Sequence, residues 1–160
     1  MSFEFRGATL KRFNPLPYLL QLLLEVHGLR GQSGALYSVL AELYSNALEH
    51  GVLGLDSSLK RDAAGFARYY QQRNDRLEAL QEGFVRVHLQ VQPQGEGGRL
   101  VIRVEDSGKG FDVARIMERP LDGVRLSGRG VSLVRQLGHN ASWSDEGRSA
   151  CVEFSWEVEA

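Results

Sequence analysis

Three short segments, in a fixed order along the chain, constrain this sequence more than any other feature. Residues 42–51 read Glu-Leu-Tyr-Ser-Asn-Ala-Leu-Glu-His-Gly, residues 105–111 read Glu-Asp-Ser-Gly-Lys-Gly-Phe, and residues 127–133 read Ser-Gly-Arg-Gly-Val-Ser-Leu. The first segment spaces a carboxylate, a carboxamide and an imidazole at steps of four. The other two are glycine-bearing turns, in which the backbone can come close to a ligand. Each segment alone is a weak signal, and only the combination is informative.

The first segment predicts a helix that carries a polar stripe. We expect the helix to run from about residue 35 to residue 50 and to end at Gly51. Steps of four residues drift by only about 40° around a helix, so Glu42, Asn46 and His50 share one side. The apolar residues of this helix lie beside that stripe and predict its buried face: Leu36, Leu40, Leu43 and Ala47.

The glycine turns predict where a phosphate-bearing ligand binds. Asp106 ends a strongly apolar strand and is followed by Gly108 and Gly110; an aspartate there either forms the turn or accepts a hydrogen bond from a ligand. Gly128 and Gly130 come directly before a predicted helix, whose first free N–H groups can receive phosphate oxygens. Together with the polar stripe, these turns predict a site for a nucleoside triphosphate and its metal ion.

The order of helical and strand patterns predicts the fold class. Residues 3–6 and 84–91 alternate between apolar and polar residues, as half-buried strands do. Blocks of helix and antiparallel hairpins, rather than repeated βαβ units, predict an α+β two-layer sandwich, with helices on one face of a mixed, mostly antiparallel sheet. The other predicted elements are helices at about 15–26, 63–81, 113–117 and 131–137 and strands at 100–104, 142–144 and 150–158.

These three segments make the chain similar to the GHKL ATPase family, which holds the ATP-binding domains of gyrase, Hsp90-type chaperones, MutL and sensor histidine kinases. The segments match that family's N box, its Asp-x-Gly-x-Gly box and its second glycine box, and the resemblance runs from about Phe3 to Val158. Within the family, the N box resembles that of the small serine kinases that act as anti-sigma factors. The implied fold is the Bergerat-type ATP-binding fold.

The resemblance implies roles for the polar stripe. Asn46 is expected to give its carboxamide oxygen to Mg²⁺, a cation that prefers oxygen ligands and bridges phosphates. Glu42 is expected to be the general base that takes a proton from the attacking hydroxyl or water. His50 has two interpretations, which the sequence leaves open: it caps the end of the helix, or it contacts a phosphate or the metal.

The resemblance also implies roles for the two glycine boxes. Asp106 is expected to accept a hydrogen bond from the adenine amino group, with the chain turning under the base at Gly108 and Gly110. Ser149 falls near the place where the family has a threonine close to adenine. The lid over ATP is expected between residues 111 and 127. Its candidate contacts to the γ-phosphate are Arg115, Arg119 and Arg125, and the phosphate turn itself is Gly128, Arg129 and Gly130.

Two classes of function follow from the resemblance. The first is an ATP- and Mg²⁺-dependent serine/threonine protein kinase that acts as an anti-sigma factor. It would phosphorylate a STAS-domain anti-sigma factor antagonist and also bind a sigma factor. The second is an ATP-binding regulatory module that binds one of these partners with little or no transfer. A histidine-kinase ATP-binding domain is a further alternative, disfavoured by the Asn-Ala-x-x-His-Gly form of the N box and the short lid.

A helical insert at about residues 52–82 is the unusual part of the chain. It resembles the insert in kinase-like domains at the C-terminus of bacterial response-regulator/serine-phosphatase fusion proteins, which implies that the chain is part of a longer signalling protein. Either the insert covers the core, or its aromatic and arginine residues face a protein partner or a second copy in a homodimer. The interface hypothesis depends on Arg68, Arg73 and Arg76.

Composition bounds the remaining possibilities. At 160 residues the chain is expected to be a single domain. A net charge of −1 disfavours nucleic acid as a direct partner. No apolar run approaches the roughly 20 residues of a membrane span, and no signal peptide is visible, so a cytoplasmic location is the default expectation.

Overall fold

Five strands form one sheet in the computed structural model, which describes residues 1–109 and 140–157. The sheet order is β1-β2-β3-β5-β4. Each neighbouring pair of these strands is antiparallel, which confirms the predicted α+β class with a mostly antiparallel sheet. The strands are β1 Ser2–Arg6, β2 Phe84–Gln94, β3 Gly97–Asp106, β4 Asn140–Ser144 and β5 Ser149–Trp156.

The sheet has one buried face and one polar face. Alternate residues of a strand point to opposite faces, so the apolar residues of each strand gather on one side. The other side is polar and carries ion pairs such as Arg99 with Glu153. The apolar side contacts the helices and supplies much of the core: Val85, Val87, Leu89, Leu100, Ile102, Val104, Ala150, Val152, Phe154 and Trp156.

The helices cover the buried face. Helix α1 spans Ala8–Arg12 and was not predicted, whereas α2 spans Leu16–Leu24 and starts beside Pro15 as expected. Helix α3 spans Ser33–Ser45 and packs on α2 through fully buried leucines. In the part of the chain that the structure describes, no helix is both long and apolar enough to cross a bilayer.

The insert forms a helix, as predicted. Helix α4 spans Ala63–Ala79, and the Asp62 side chain caps its start by accepting a hydrogen bond from the Gly65 N–H at 2.6 Å. A Cβ atom at Gly65 would lie 1.8 Å from the Leu59 carbonyl oxygen. The first turn of α4 therefore packs backbone to backbone on the 3₁₀ segment Ser57–Arg61, and only glycine allows this approach.

The predicted helices at 113–117 and 131–137, together with the predicted lid, lie outside the described residues. The same holds for Val158, at the end of the last predicted strand.

Candidate functional site

The N box is not one regular helix. It begins in α3, but residues Asn46–Val52 form a π-helical turn, in which the Leu53 N–H donates to the Leu48 carbonyl at 2.8 Å. The prediction of a single α-helix ending at Gly51 was therefore wrong. Wide turns of this kind are rare and are frequently found at functional sites. Glu42 lies in the last full turn of α3, and Asn46 is the first residue of the π turn.

The π turn packs directly against the second predicted box. A Cβ atom at Gly51 would lie 2.4 Å from the Asp106 carboxyl carbon, and one at Gly108 would lie 2.1 Å from the Gly51 carbonyl oxygen. Glycine is therefore required at both positions, because the π turn and the turn after β3 approach too closely for a side chain. The structure thus joins the end of the N box to Asp106 and Gly108, which are more than fifty residues further along the chain.

Asp106 is held at the end of β3 with its carboxylate half-buried. One carboxylate oxygen accepts a hydrogen bond from the Gly108 N–H at 2.8 Å, and the backbone N–H of Asp106 donates to the Arg148 carbonyl at 3.0 Å. Burial raises the pKa of Asp106 to about 6, while the Gly108 N–H and the Arg148 charge oppose that rise. The side chain can therefore change protonation state close to neutral pH.

Ser149 is not brought to Asp106. It starts β5 in register with Glu105, on the polar face of the sheet, whereas Asp106 lies on the same side as the buried Val104. The residue of β5 that faces the Asp106 side is Ala150, in register with Val104. The Ser149 hydroxyl is thus directed to the face of the sheet opposite the Asp106 carboxylate, and its expected place near the adenine stays a prediction.

His50 holds the chain that leaves the π turn. Its Nδ1 lies 2.8 Å from the Leu55 carbonyl oxygen, and because a carbonyl can only accept, Nδ1 carries the donated proton. The ring also packs 6.2 Å from the Tyr69 ring, between centroids. Of the two interpretations of His50, these contacts favour the structural one, although the histidine stabilises the following loop rather than capping an α-helix.

Glu42 is partly buried and faces charges from the insert. Burial raises the pKa of the Glu42 carboxyl, as does the negative charge of Glu49, while the Lys60 ammonium lowers it. Neither Glu42 nor Asn46 forms a side-chain hydrogen bond with another described residue. A partly buried carboxylate and a carboxamide are thus left one helical turn apart, with polar atoms that can serve a ligand.

Glu49 is a site residue that the sequence analysis missed. Its carboxylate is buried and accepts a hydrogen bond from the Tyr69 hydroxyl at 2.5 Å, and it pairs with Arg73 at 3.2 Å and with Lys60 at 3.9 Å. In sequence it is one acidic residue among the polar residues of a helix. Only the complementary set of a lysine, a tyrosine and an arginine in the insert could have pointed to it.

The insert residues proposed for an interface are largely engaged within the domain. Arg73 pairs with Glu49, and Arg76 donates to the carbonyls of Leu53 and Gly54 at 2.9 and 2.8 Å. Replacing Arg73 and Arg76 together with Arg68 would therefore disturb the domain itself, so that triple substitution cannot test an interface. Among the three arginines, only Arg68 is both exposed and without a described partner, which favours the covering role for most of the insert.

The described side chains fit a Mg²⁺ ion that is bound together with a nucleotide, rather than one held by protein ligands alone. Within residues 1–109 and 140–157, no group of three or more His, Cys, Asp or Glu side chains is arranged to hold a metal ion. A single carboxamide oxygen, from Asn46, matches the mode in which Mg²⁺ takes its other ligands from phosphates and water. Gly110, of the turn under the adenine, lies outside the described residues, and so do the predicted phosphate contacts: Arg115, Arg119, Arg125, Gly128, Arg129 and Gly130.

The comparison with known families agrees with this geometry. The sequence profile described as histidine kinase-, DNA gyrase B-, and HSP90-like ATPase matches residues 31–160, which is more than half of the chain. No curated protein matches the sequence. The matched region contains the N box, the turn at Asp106 and the helices and strands from α3 to β5. The chain therefore belongs to the family of histidine kinase-, DNA gyrase B- and HSP90-like ATPases.

Proposed function

We propose that the domain is an ATP- and Mg²⁺-dependent serine/threonine protein kinase that acts as an anti-sigma factor. Its protein substrate is a STAS-domain anti-sigma factor antagonist, and it also binds a sigma factor in a bacterial partner-switching pathway. ATP binding is what membership of the ATPase family implies. The serine kinase activity and the partners rest on the form of the N box and extend beyond that membership.

The observation that carries the proposal is the environment of Glu42. Its carboxyl is partly buried, its pKa is raised by that burial, and it lies one helical turn before Asn46. A carboxylate with a raised pKa accepts a proton more readily, which is what a general base needs. The opposing charge of Lys60 favours the ionised form, the form in which Glu42 can accept that proton.

The side chains divide the chemistry between them. Asp106 orients the adenine through its carboxylate, and Asn46 supplies an oxygen to the metal. ATP would supply the phosphoryl group, and a Mg²⁺ ion held by Asn46 would offset the negative charge of the phosphates. Glu42 removes the proton from the serine hydroxyl as the serine oxygen bonds to the γ-phosphorus and the bond to ADP breaks. Positioning and electrostatics account for most of the catalysis of such a transfer, so few residues are required.

The experiment that tests the kinase is transfer of labelled γ-phosphate from ATP to STAS-domain proteins of the same genome. Glu42→Gln should leave ATP affinity within about twofold and slow transfer by roughly 10²–10⁴-fold, the usual effect of losing a general base. Glu96→Gln, in the exposed hairpin turn at the far end of the sheet, is the matched control and should transfer at the wild-type rate. Wild-type transfer by Glu42→Gln would contradict the assignment of the base.

The two alternative functions predict different products in the same assay. A histidine-kinase ATP-binding domain would give an acid-labile phosphohistidine on its partner, whereas a serine kinase gives an acid-stable phosphoserine. A regulatory module would bind ATP and retain a STAS-domain protein or a sigma factor in a pull-down without labelling either. The charge of Lys60 near Glu42 is the observation that keeps this last alternative, because a domain whose base is held ionised by a neighbouring lysine could bind ATP without transferring phosphate.

A further inference from the structure

The insert holds the π turn through a buried charge. Glu49 is 9% exposed, and its two carboxylate oxygens are both engaged by insert residues. The Tyr69 hydroxyl and the Lys60 ammonium face one oxygen, and the Arg73 guanidinium faces the other. Lys60 also lies 4.2 Å above the centre of the Tyr69 ring. We call these four residues, Glu49, Lys60, Tyr69 and Arg73, the anchor cluster.

A second contact ties the insert to the same turn. One guanidinium nitrogen of Arg76 donates to the carbonyl oxygens of Leu53 and Gly54, which directly follow the π turn. Helix α4 thus contacts this part of the chain in two places. One is the Glu49 side chain, inside the turn, and the other is the pair of backbone carbonyls directly after it. Two such contacts restrain both the position and the pitch of the turn.

A buried ion pair is a poor way to gain stability alone. Removing a carboxylate from water is costly, and apolar side chains of similar size often give an equal or more stable fold. What a buried, hydrogen-bonded carboxylate does supply is a defined geometry. The π turn needs such a restraint, because its hydrogen bonds span one residue more than those of the favoured α-helix. Asn46 itself has α-helical backbone angles and its N–H bonds back to the Glu42 carbonyl, so relaxation of the rest of the turn towards an α-helical pitch would move Asn46 relative to Asp106, on which Gly51 packs.

We propose that the insert is a positioning element of the nucleotide site, with Glu49 as its positioning residue. The anchor cluster keeps the π turn wide and thereby keeps the Asn46 carboxamide oriented towards Mg²⁺. This inference rests on the part of the proposed function that assigns Asn46 to Mg²⁺, and it is independent of any phosphate transfer. It assigns a role to a segment that would otherwise only cover the core.

The test compares two neighbouring tyrosines of α4. Tyr69→Phe removes only the hydroxyl that bonds Glu49, whereas Tyr70→Phe removes a hydroxyl from a side chain that is 51% exposed. ATP affinity is measured by calorimetry with Mg²⁺ and with a chelator, for each variant and for the wild type. The tightening of ATP binding by Mg²⁺ is the readout that a purely structural role would not change.

We expect Tyr69→Phe to reduce that Mg²⁺-dependent tightening by at most about tenfold, the lower end of the loss at metal sites whose ligand loses a direct hydrogen-bond partner, because Tyr69 acts on Asn46 only through the turn. Affinity without Mg²⁺ should stay within about twofold of the wild type, and Tyr70→Phe should match the wild type in both conditions. Glu49→Gln keeps an oxygen to accept from Tyr69 but removes the charge that pairs with Lys60 and Arg73, so its loss should be at least as large as that of Tyr69→Phe. This second variant also keeps the test valid if Tyr69→Phe folds poorly by circular dichroism.

Several results would overturn the inference. If Tyr69→Phe loses the same amount of ATP affinity with and without Mg²⁺, the cluster supports the fold in general and does not position a metal ligand. Unchanged ATP binding in both Tyr69→Phe and Glu49→Gln would make the insert plain cover. If the ATP affinity of the wild-type domain does not respond to Mg²⁺, there is no metal ligand for the cluster to position. A lack of phosphate transfer alone would contradict only the proposed kinase function.

Discussion

The two ends of the helical stretch from Ser33 to Val52 are built in different ways. At the start, α3 is an ordinary α-helix, and a Cβ atom at Gly34 would meet no other atom within 4 Å. At the other end, the chain widens into a π turn, Gly51 presses on Asp106, and the Glu49 carboxylate is buried against the insert. The start has open space at Gly34, whereas the end is in close contact with distant segments, and the candidate site lies at that end.

Alanine substitutions at two glycines should show the contrast most strongly. Gly51→Ala should destabilise the domain by about 2 kcal/mol, since its Cβ cannot fit beside the Asp106 carboxylate without a shift. It should also weaken ATP binding by displacing that carboxylate. Gly34→Ala has open space and should stabilise the domain by about 0.5 kcal/mol by restricting the unfolded chain. Urea unfolding of both variants measures the difference, and similar changes in both would contradict the comparison.

A smaller effect should appear in the pH dependence of stability. The pKa of Asp106 is about 6 in the folded protein, above its ordinary value of 3.8, so between these pH values the folded state binds more protons than the unfolded state. The contribution of Asp106 to stability is therefore fully present below about pH 4 and is lost as the pH rises through 6. Asp106→Asn should remove this loss and stabilise the domain at pH 7 by about 1 kcal/mol, after allowance for partial exposure.

The matched control for that prediction is Asp75→Asn, at an exposed position of α4. Urea unfolding at pH 4.5 and pH 7 should show a gain for Asp106→Asn that is larger at pH 7, and little change at either pH for Asp75→Asn. An equal gain for Asp106→Asn at both values would mean that burial does not perturb this carboxyl. A gain in stability together with a loss of nucleotide binding is the pattern expected of a residue retained for function.

Much of the fold was predictable because its signals are local. Strand β2 and helix α4 confirm the predictions made from the alternation at residues 84–91 and from the amphipathic pattern at 63–81. The end of each element is shifted by two or three residues. The placement of Asp106 at the end of a strand was also predictable, because a polar residue and a glycine turn follow an apolar run. These features depend on neighbours in sequence, which periodicity reports directly.

The parts that were not predicted depend on contacts between distant residues. The π turn is only seven residues long and leaves no periodic signature in the sequence. It is accompanied by two contacts with distant segments, in which Gly51 packs on Asp106 and Glu49 pairs with Arg73 of α4. Ser149 was assigned from a loose spacing, and in a strand a shift of one residue reverses the face. Position along the chain was thus a good guide to the turn at Asp106 and a poor guide to the side of the sheet that a neighbouring strand presents.

The most direct test of the account is nucleotide selectivity at Asp106. Calorimetric titration of the wild type with ATP and with GTP, both with Mg²⁺, should show clear binding of ATP and at least tenfold weaker binding of GTP. In Asp106→Asn, ATP affinity should fall by at least tenfold, which corresponds to the loss of one hydrogen bond to a charged acceptor. Equal affinity of the wild type for ATP and GTP, or undiminished ATP binding by Asp106→Asn, would contradict the placement of the adenine at the junction of the π turn and β3.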